Sequence, residues 1–299
     1  MLDDIGVVIV THNSESLIVR LLESIPAALD ELTARIVVVD NGSSDKTCAV
    51  LANRDDCYLI RCANTGYAAG INAGFAATGD LPAVLVLNPD IVLEPRSIPP
   101  LRARLSSPRV GIVVPRIHNP DGRLYFSLRR DPTLARALGL GKTRLPFFSE
   151  YVTAMRKYAA AGVVEWAIGA AMMISRHCFD EVGGWDPSYF LYSEETDFCM
   201  RARRAGWQIW YEPEAALTHF GGASGRTART HAMQIVNRVR LYRRRHGAIS
   251  SWCYWAATVL SEFTWILRGQ SQSKESVLAL LRPRHRPPEM YASGSIVPL

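Results

Sequence analysis

Three acids lie within four positions at Glu194, Glu195 and Asp197, set among Phe190, Leu191, Tyr192 and Phe198. Acids suit the first turn of a helix, where the dipole favours negative charge. A carboxylate in a partly apolar cleft also has its pKa raised, and it can take a proton from a hydroxyl. A second candidate stands in VLVLNPDIVL, Val84 to Leu93. Its first apolar run reads as a strand buried on both faces. Pro89 cannot donate to a ladder and ends that strand, leaving Asn88 and Asp90 at its carboxyl end. A carboxylate there is well sited to hold Mg²⁺ or Mn²⁺ against a phosphate. Asn-Pro-Asp is also an ordinary turn. Asp40 ends the run Arg35 to Val39 in the same way, before Asn41-Gly42-Ser43-Ser44-Asp45. Its carboxylate can accept hydrogen bonds from a base or ribose, or cap its own turn. His219 precedes a Gly-rich stretch that ends in Arg226, a pattern suited to closing over a diphosphate.

The elements around these residues alternate. Ile5 to Val10 is a β-branched apolar run, and Thr11-His12-Asn13-Ser14 offer N-caps for a helix to about Ala28. Strands follow at Arg35 to Val39 and Tyr58 to Arg61. Asn64 to Gly74 carries small residues at helical spacing. They permit close backbone approach and present a helix N-terminus to a phosphate, although the stretch is not the dinucleotide fingerprint. Asn64, Gly66 and Asn72 are its candidate binding residues. After the Asn-Pro-Asp strand come a helix from Pro95 to about Leu105 and a strand at Val110 to Val114. This alternation predicts an α/β domain with a mainly parallel sheet between helices. Residues 116 to 162 are rich in Arg and Pro with weak periodicity and read as a long excursion over an active site. The pattern resumes at Val163 to Ser175, where Gly169 and Ala170 suit backbone contact with a ligand. A late strand is expected at Gln208 to Tyr211.

The chain has 299 residues and a net charge of +6. From Arg226 onward there are 12 Lys or Arg against 3 acids, whereas residues 1 to 225 have 22 against 25. A basic tail on a slightly acidic body points to a polyanionic partner, a membrane surface rather than nucleic acid. Two units are expected: 1–225, catalytic, and 226–299, a basic, aromatic-rich helical extension. Trp252 to Leu267 is apolar but short, and it contains Glu262. It reads as an interfacial helix rather than a span, or as a helix packed on the body. Paired across two copies, the same helices would make a homodimer. Six scattered cysteines without a Cys-x-x-Cys pair indicate a reducing compartment. The acidic N-terminus does not read as a signal peptide.

VVIVTHN, VVVDNGSSD, NTGYAAGIN, VLNPD, GGWDPSYFLYSEETD and HFGG occur in the order that marks family 2 glycosyltransferases of the GT-A fold. Their spacing resembles the rhamnosyltransferase branch, and the resemblance covers Ile5 to Arg245. It implies inverting transfer from a nucleotide-diphosphate sugar, dTDP-L-rhamnose by preference, to a polyprenyl-diphosphate-linked sugar or glycan in cell-envelope synthesis. Other donors, UDP-galactofuranose, UDP-N-acetylglucosamine or UDP-glucose, belong to the same class. A non-catalytic nucleotide-sugar or membrane-binding protein is the rival reading. The resemblance puts the base of the nucleotide on Asp40, Thr11 and Asn13. It sets Asn88 at the ribose or metal shell, the metal on Asp90 with His219, and Arg226 at the diphosphate. Glu195 stands where the family usually has a catalytic Asp. The Glu is one methylene longer, which leaves Glu194 and Glu195 as alternatives. The implied location is the cytoplasmic face of the plasma membrane.

Overall fold

The computed structural model describes residues 3–143, 145–221 and 227–292. Arg226 therefore lies outside the described residues. The N-terminal half alternates as its apolar runs dictate: β1 (Ile5–Thr11), α1 (Glu15–Leu29), β2 (Ala34–Asn41), α2 (Thr47–Ala52), β3 (Tyr58–Cys62), α3 (Tyr67–Ala77) and β4 (Ala83–Leu87). Next come β5 (Ile91–Leu93), α4 (Ile98–Arg104) and β6 (Val110–His118). The helix expected from Pro95 begins later. Arg96 takes a positive φ and the Ser97 amide bonds to the Glu94 carbonyl, so Pro95 sits in a turn, and Pro99 and Pro100 occupy the first helical turn.

The excursion is built of short pieces: β7 (Leu128–Arg129), α5 (Leu134–Ala137) and α6 (Arg156–Ala159). Then follow β8 (Gly162–Val164), β9 (Trp166–Ala167), β10 (Ala171–Ser175), α7 (Arg176–Val182), α8 (Glu194–Arg204) and β11 (Gln208–His219). The C-terminal helices are α9 (Ala228–Arg243), α10 (Ala248–Leu267) and α11 (Gln272–Leu281).

The main sheet runs β3-β2-β1-β4-β10-β6-β11-β5, with β8 also on β11. Strands β3, β2, β1 and β4 are parallel, as are β6 and β11. Between these two groups β10 inserts antiparallel to both β4 and β6. The alternation alone could not show this, because β10 comes from beyond the excursion. Apolar residues fill both faces: Val7, Ile9, Leu85 and Leu87 toward α1, and Val8, Val10, Val84 and Val86 toward α3. That two-sided burial is why these strands read as continuous aliphatic runs.

The break at Asn88-Pro89-Asp90 positions the site. The chain leaves the sheet centre after β4 and rejoins at the far edge as β5, which pairs antiparallel with the end of β11, Ile91 facing His219. The turn reading and the strand-end reading are therefore both correct. Asp90 is carried across the carboxyl ends of the strands to the side of His219.

Several arginines of the basic C-terminal quarter are paired or buried, while Arg229, Arg243, Arg268, Arg282 and Arg284 remain exposed. Arg245 pairs with Asp197 at 2.6 Å, both about 4% exposed. Arg244 pairs with Asp186, Arg238 with Glu150 at 2.5 Å, and Arg229 with Glu289 at 2.5 Å. Arg240 is fully buried, bonding to Asn237 and the Ser188 carbonyl with Tyr189 beneath it. In α10 the arrangement is inverted. The buried positions are Ser251, Tyr254, Thr258, Ser261 and Glu262. The exposed stripe, at helical spacing, is Ile249, Trp252, Cys253, Ala256, Leu260, Phe263 and Leu267. Among the described residues, no helix is long and apolar enough to cross a membrane.

Candidate active site

A cavity of about 1270 Å³ opens beyond the carboxyl ends of the strands. Its sheet end is lined by Thr11, His12, Asn64, Gly66, Tyr67, Asn88, Asp90, Gly169, Glu194, Glu195 and His219, and its far end by α9, α10 and α11.

Asp90 and His219 come together as expected, with Nε2 of His219 3.2 Å from Oδ1 of Asp90. Among the described residues, no group of three or more His, Cys, Asp or Glu forms a closed metal cage. A two-residue donor set of one carboxylate and one imidazole fits a divalent cation, Mn²⁺ or Mg²⁺, that takes its remaining ligands from phosphate oxygens and water. Asn88 is fixed by Tyr67, whose hydroxyl donates to Asn88 Oδ1 at 2.7 Å.

The three acids of α8 part company. Asp197 accepts from Arg201 and Arg245, each at 2.6 Å, and is a structural anchor. Glu194 and Glu195 have no such partners: Oε2 of each is buried without a hydrogen bond. Burial pushes the Glu194 carboxyl well above its usual range, and the Glu195 charge beside it adds to the rise. Burial also raises Glu195, opposed by backbone amides of α8 and by the Arg129 guanidinium. The backbone amides and Arg129 favour the charged form of Glu195, whereas Glu194 has the neighbouring Glu195 charge against its own. The pair is presented by a strained turn, since Tyr192 and Ser193 both have φ near +70°. Asn237 of α9 holds that turn, its Nδ2 donating to the Leu191 and Tyr192 carbonyls. Gly169 makes room for the base: a Cβ there would lie 3.3 Å from the Glu195 Cβ.

The nucleotide-side residues divide. Thr11 and Asp40 are adjacent and buried, the Thr11 hydroxyl donating to Asp40 at 3.1 Å. Burial would raise the Asp40 carboxyl, but the Ser43 hydroxyl and amide and Thr11 outweigh it, and the carboxyl is held below its usual value. Asn13 is exposed and organises the next loop, its Oδ1 accepting from the Ser44 amide at 2.8 Å. Neither Asn13 nor Asp40 lines the cavity wall.

Two expectations need correction. Asn72 does not line the cavity; its amide clasps Trp185, donating to the carbonyl at 2.7 Å and accepting from the amide at 2.9 Å. That clasp sets the GGWDP loop rather than a ligand. Gly66 is required for close backbone approach, but the neighbour is Phe190, whose carbonyl accepts from Tyr67 N at 2.8 Å. The helix N-terminus is occupied by protein there. Asn64 lines the cavity, with its Oδ1 near the Gly66 amide. Sequence reasoning passed over Tyr67 as a support for Asn88. It also passed over Arg129, buried in the excursion with its guanidinium 3.9 Å from the Tyr151 ring. The Arg-rich composition of that segment was the available signal for the second.

Residues 6–183 match the model of glycosyl transferase family 2. An N-acetylglucosaminyl-diphospho-decaprenol L-rhamnosyltransferase of Mycobacterium tuberculosis is 33% identical over 250 residues, covering 77% of this chain and 81% of that protein. The rhamnosyltransferase WbbL of Escherichia coli K12 is 27% identical over 239 residues, 74% of this chain and 85% of its own. Among solved structures, GalNAc-T7 with UDP, GalNAc and Mn²⁺ superposes with a TM-score of 0.64 at 17% identity, covering 99% of this chain and 56% of that longer one. That likeness is one of fold, the GT-A architecture. Sequence, site and fold agree: the chain belongs to glycosyl transferase family 2, on its rhamnosyltransferase-like branch.

Proposed function

We propose that this glycosyltransferase moves L-rhamnose, with inversion, from dTDP-L-rhamnose to a polyprenyl-diphosphate-linked sugar in cell-envelope glycan assembly. The observation that carries the reading is the Glu194–Glu195 pair, Oε2 of each buried without a hydrogen bond, on the same cavity as Asp90 and His219. The names of the two rhamnosyltransferases motivate the sugar and the lipid-linked acceptor.

Glu195 accepts the proton of the acceptor hydroxyl as that oxygen attacks the anomeric carbon. The nucleotide diphosphate leaves in the same displacement, so no covalent sugar–enzyme intermediate forms. Glu194, neutral beside it, leaves a single negative charge at the base. Asp90 and His219 would hold a divalent cation, which offsets charge on the departing diphosphate. Thr11 receives the nucleoside with Asp40 behind it, its carboxylate held by Thr11 and Ser43. Asn88 is held ready at the ribose or metal shell, and Asn64 and Gly66 complete the wall. Asn13 supports the nucleoside loop, and Arg226, outside the described residues, is the candidate partner of the diphosphate. The helices after residue 226 seat the enzyme on the inner face of the plasma membrane, the exposed stripe of α10 facing lipid.

Turnover decides the reading. With dTDP-L-rhamnose, a short-chain prenyl-diphosphate N-acetylglucosamine and Mg²⁺ or Mn²⁺, dTDP release is expected to require acceptor and metal, and the product anomer is expected to be inverted by NMR. Release from UDP-sugars alone would overturn the rhamnose assignment. Undiminished turnover in EDTA would overturn the metal role.

A further inference from the structure

The cavity is larger than the roughly 300–1,000 Å³ of an ordinary single-ligand site. Its far lobe holds a carboxylate–imidazole pair that the donor chemistry does not use. Nε2 of His231, on α9, lies 3.0 Å from Oε2 of Glu262, on α10. Glu262 is buried, although α10 is otherwise a run of apolar and small residues. Resting on the functional reading above, we propose that this lobe is the subsite for the acceptor's sugar, with His231 and Glu262 as its hydroxyl-binding groups.

Three features favour a neutral, hydroxyl-rich ligand over an anion. First, each carboxylate of the lobe is already matched: Glu262 by His231, Glu150 by Arg238, and Glu289 by Arg229. The arginines that α9 turns toward the lobe are thereby engaged by carboxylates and not held open for a phosphate. Second, the Glu262 carboxylate can accept hydrogen bonds beyond its contact with His231 Nε2, and the other ring nitrogen of His231 adds a second polar group. Together they suit hydroxyl donors. Third, Gln234, Trp265 and Gln272 share the same wall, adding amides and one large ring with an apolar face. A few convergent polar groups beside an aromatic surface are what a sugar ring, apolar on its faces and polar at its rim, requires. The inversion of α10 follows from the same idea. One helix turns polar side chains toward a sugar and an apolar stripe toward the lipid that carries it.

Calorimetry of the short-chain prenyl-diphosphate N-acetylglucosamine, on full-length enzyme with dTDP and Mn²⁺ present, tests the subsite independently of turnover. Glu262→Gln and His231→Gln are each expected to weaken acceptor binding about tenfold and to raise acceptor KM in step. kcat should change by less than about threefold, and the dTDP-induced thermal shift should be unchanged. The double variant should be no worse than either single one, since the residues act as a pair. Gln234→Trp, at an exposed position on the wall of the lobe, adds bulk there and should weaken binding as well. Wild-type binding that these variants leave intact, or no acceptor binding by wild type, overturns the subsite. Acceptor binding lost as expected, but with no transfer from dTDP-L-rhamnose, would instead overturn the function assigned above.

Discussion

The two ends of the cavity treat their carboxylates oppositely. At the helical end every acid has a basic neighbour: His231 for Glu262, Arg238 for Glu150, Arg229 for Glu289. At the sheet end Glu194 is buried and Glu195 partly buried, with Oε2 of each lacking a hydrogen bond and, among the described residues, no basic side chain bonded to either. Burying an unneutralised carboxylate is costly, and a fold built for stability alone would pair it. Asp197, one helical turn further on, is paired twice. The contrast separates acids that hold the protein together from acids available to a proton.

Removing the base attacks that contrast most directly. Glu195→Gln is expected to lower kcat by about 10²–10⁴-fold, the usual contribution of a positioned base, with dTDP binding retained. Equal activity would shift the role to Glu194. Asp90→Ala should abolish the metal dependence of the dTDP-induced thermal shift, while that shift persists in Glu195→Gln. Asp197→Ala tests the structural member of the trio. It leaves Arg245 charged and buried, so stability should fall by about 3–5 kcal/mol in denaturant titration. Loss of activity without loss of stability would contradict the assignment.

A smaller effect is expected at the outer stripe of α10. Leu260→Gln and Phe263→Gln should each weaken binding to anionic vesicles about tenfold, since burying such a side chain contributes roughly 1.5–3 kcal/mol. Unaltered vesicle binding would favour a protein partner on that face.

Glu194→Gln gives the smallest shift and the clearest sign. The folded-state pKa of Glu194 is raised above the usual 4.5, so the folded protein binds a proton that the unfolded chain releases. Stability from this group is therefore intact below pH 4.5 and declines as pH rises toward the folded value. Glutamine does not titrate. The variant should gain a few degrees in Tm at pH 7–8, roughly 2 °C per kcal/mol or more, and should lose that gain near pH 4. For the same reason the acid limb of the wild-type rate profile, set by Glu195, should lie above 4.5.

Much of this was legible in the residues. The strands β1, β2, β4 and β6 announced themselves as β-branched runs, and the acids at 40, 90 and 195 stood at interruptions that only turns or helix starts explain. What could not be read was long-range. Nothing near Asp90 indicates that β5 crosses to β11, yet that crossing brings His219 to its side. Nothing around Glu194 to Asp197 shows which acid an arginine 48 residues later will claim. Arg238, Arg244 and Arg245 read as surface because their partners, Glu150, Asp186 and Asp197, lie far off in sequence. Asn72 and Gly66 read as ligand contacts because small and amide residues suit a backbone neighbour as well as a phosphate.

The Arg245–Asp197 pair also gives synthesis a direction. As the chain is made, α8 emerges with its acids before the helix that clamps it exists. Until residue 245 has left the ribosome, Asp197 lacks one of its two partners and the turn at Tyr192 and Ser193 lacks Asn237. Assembly of the base is thus a late event, timed by translation of a segment that touches no donor. A nascent chain stalled before α9 would carry every motif of the family and still have its catalytic helix unlatched.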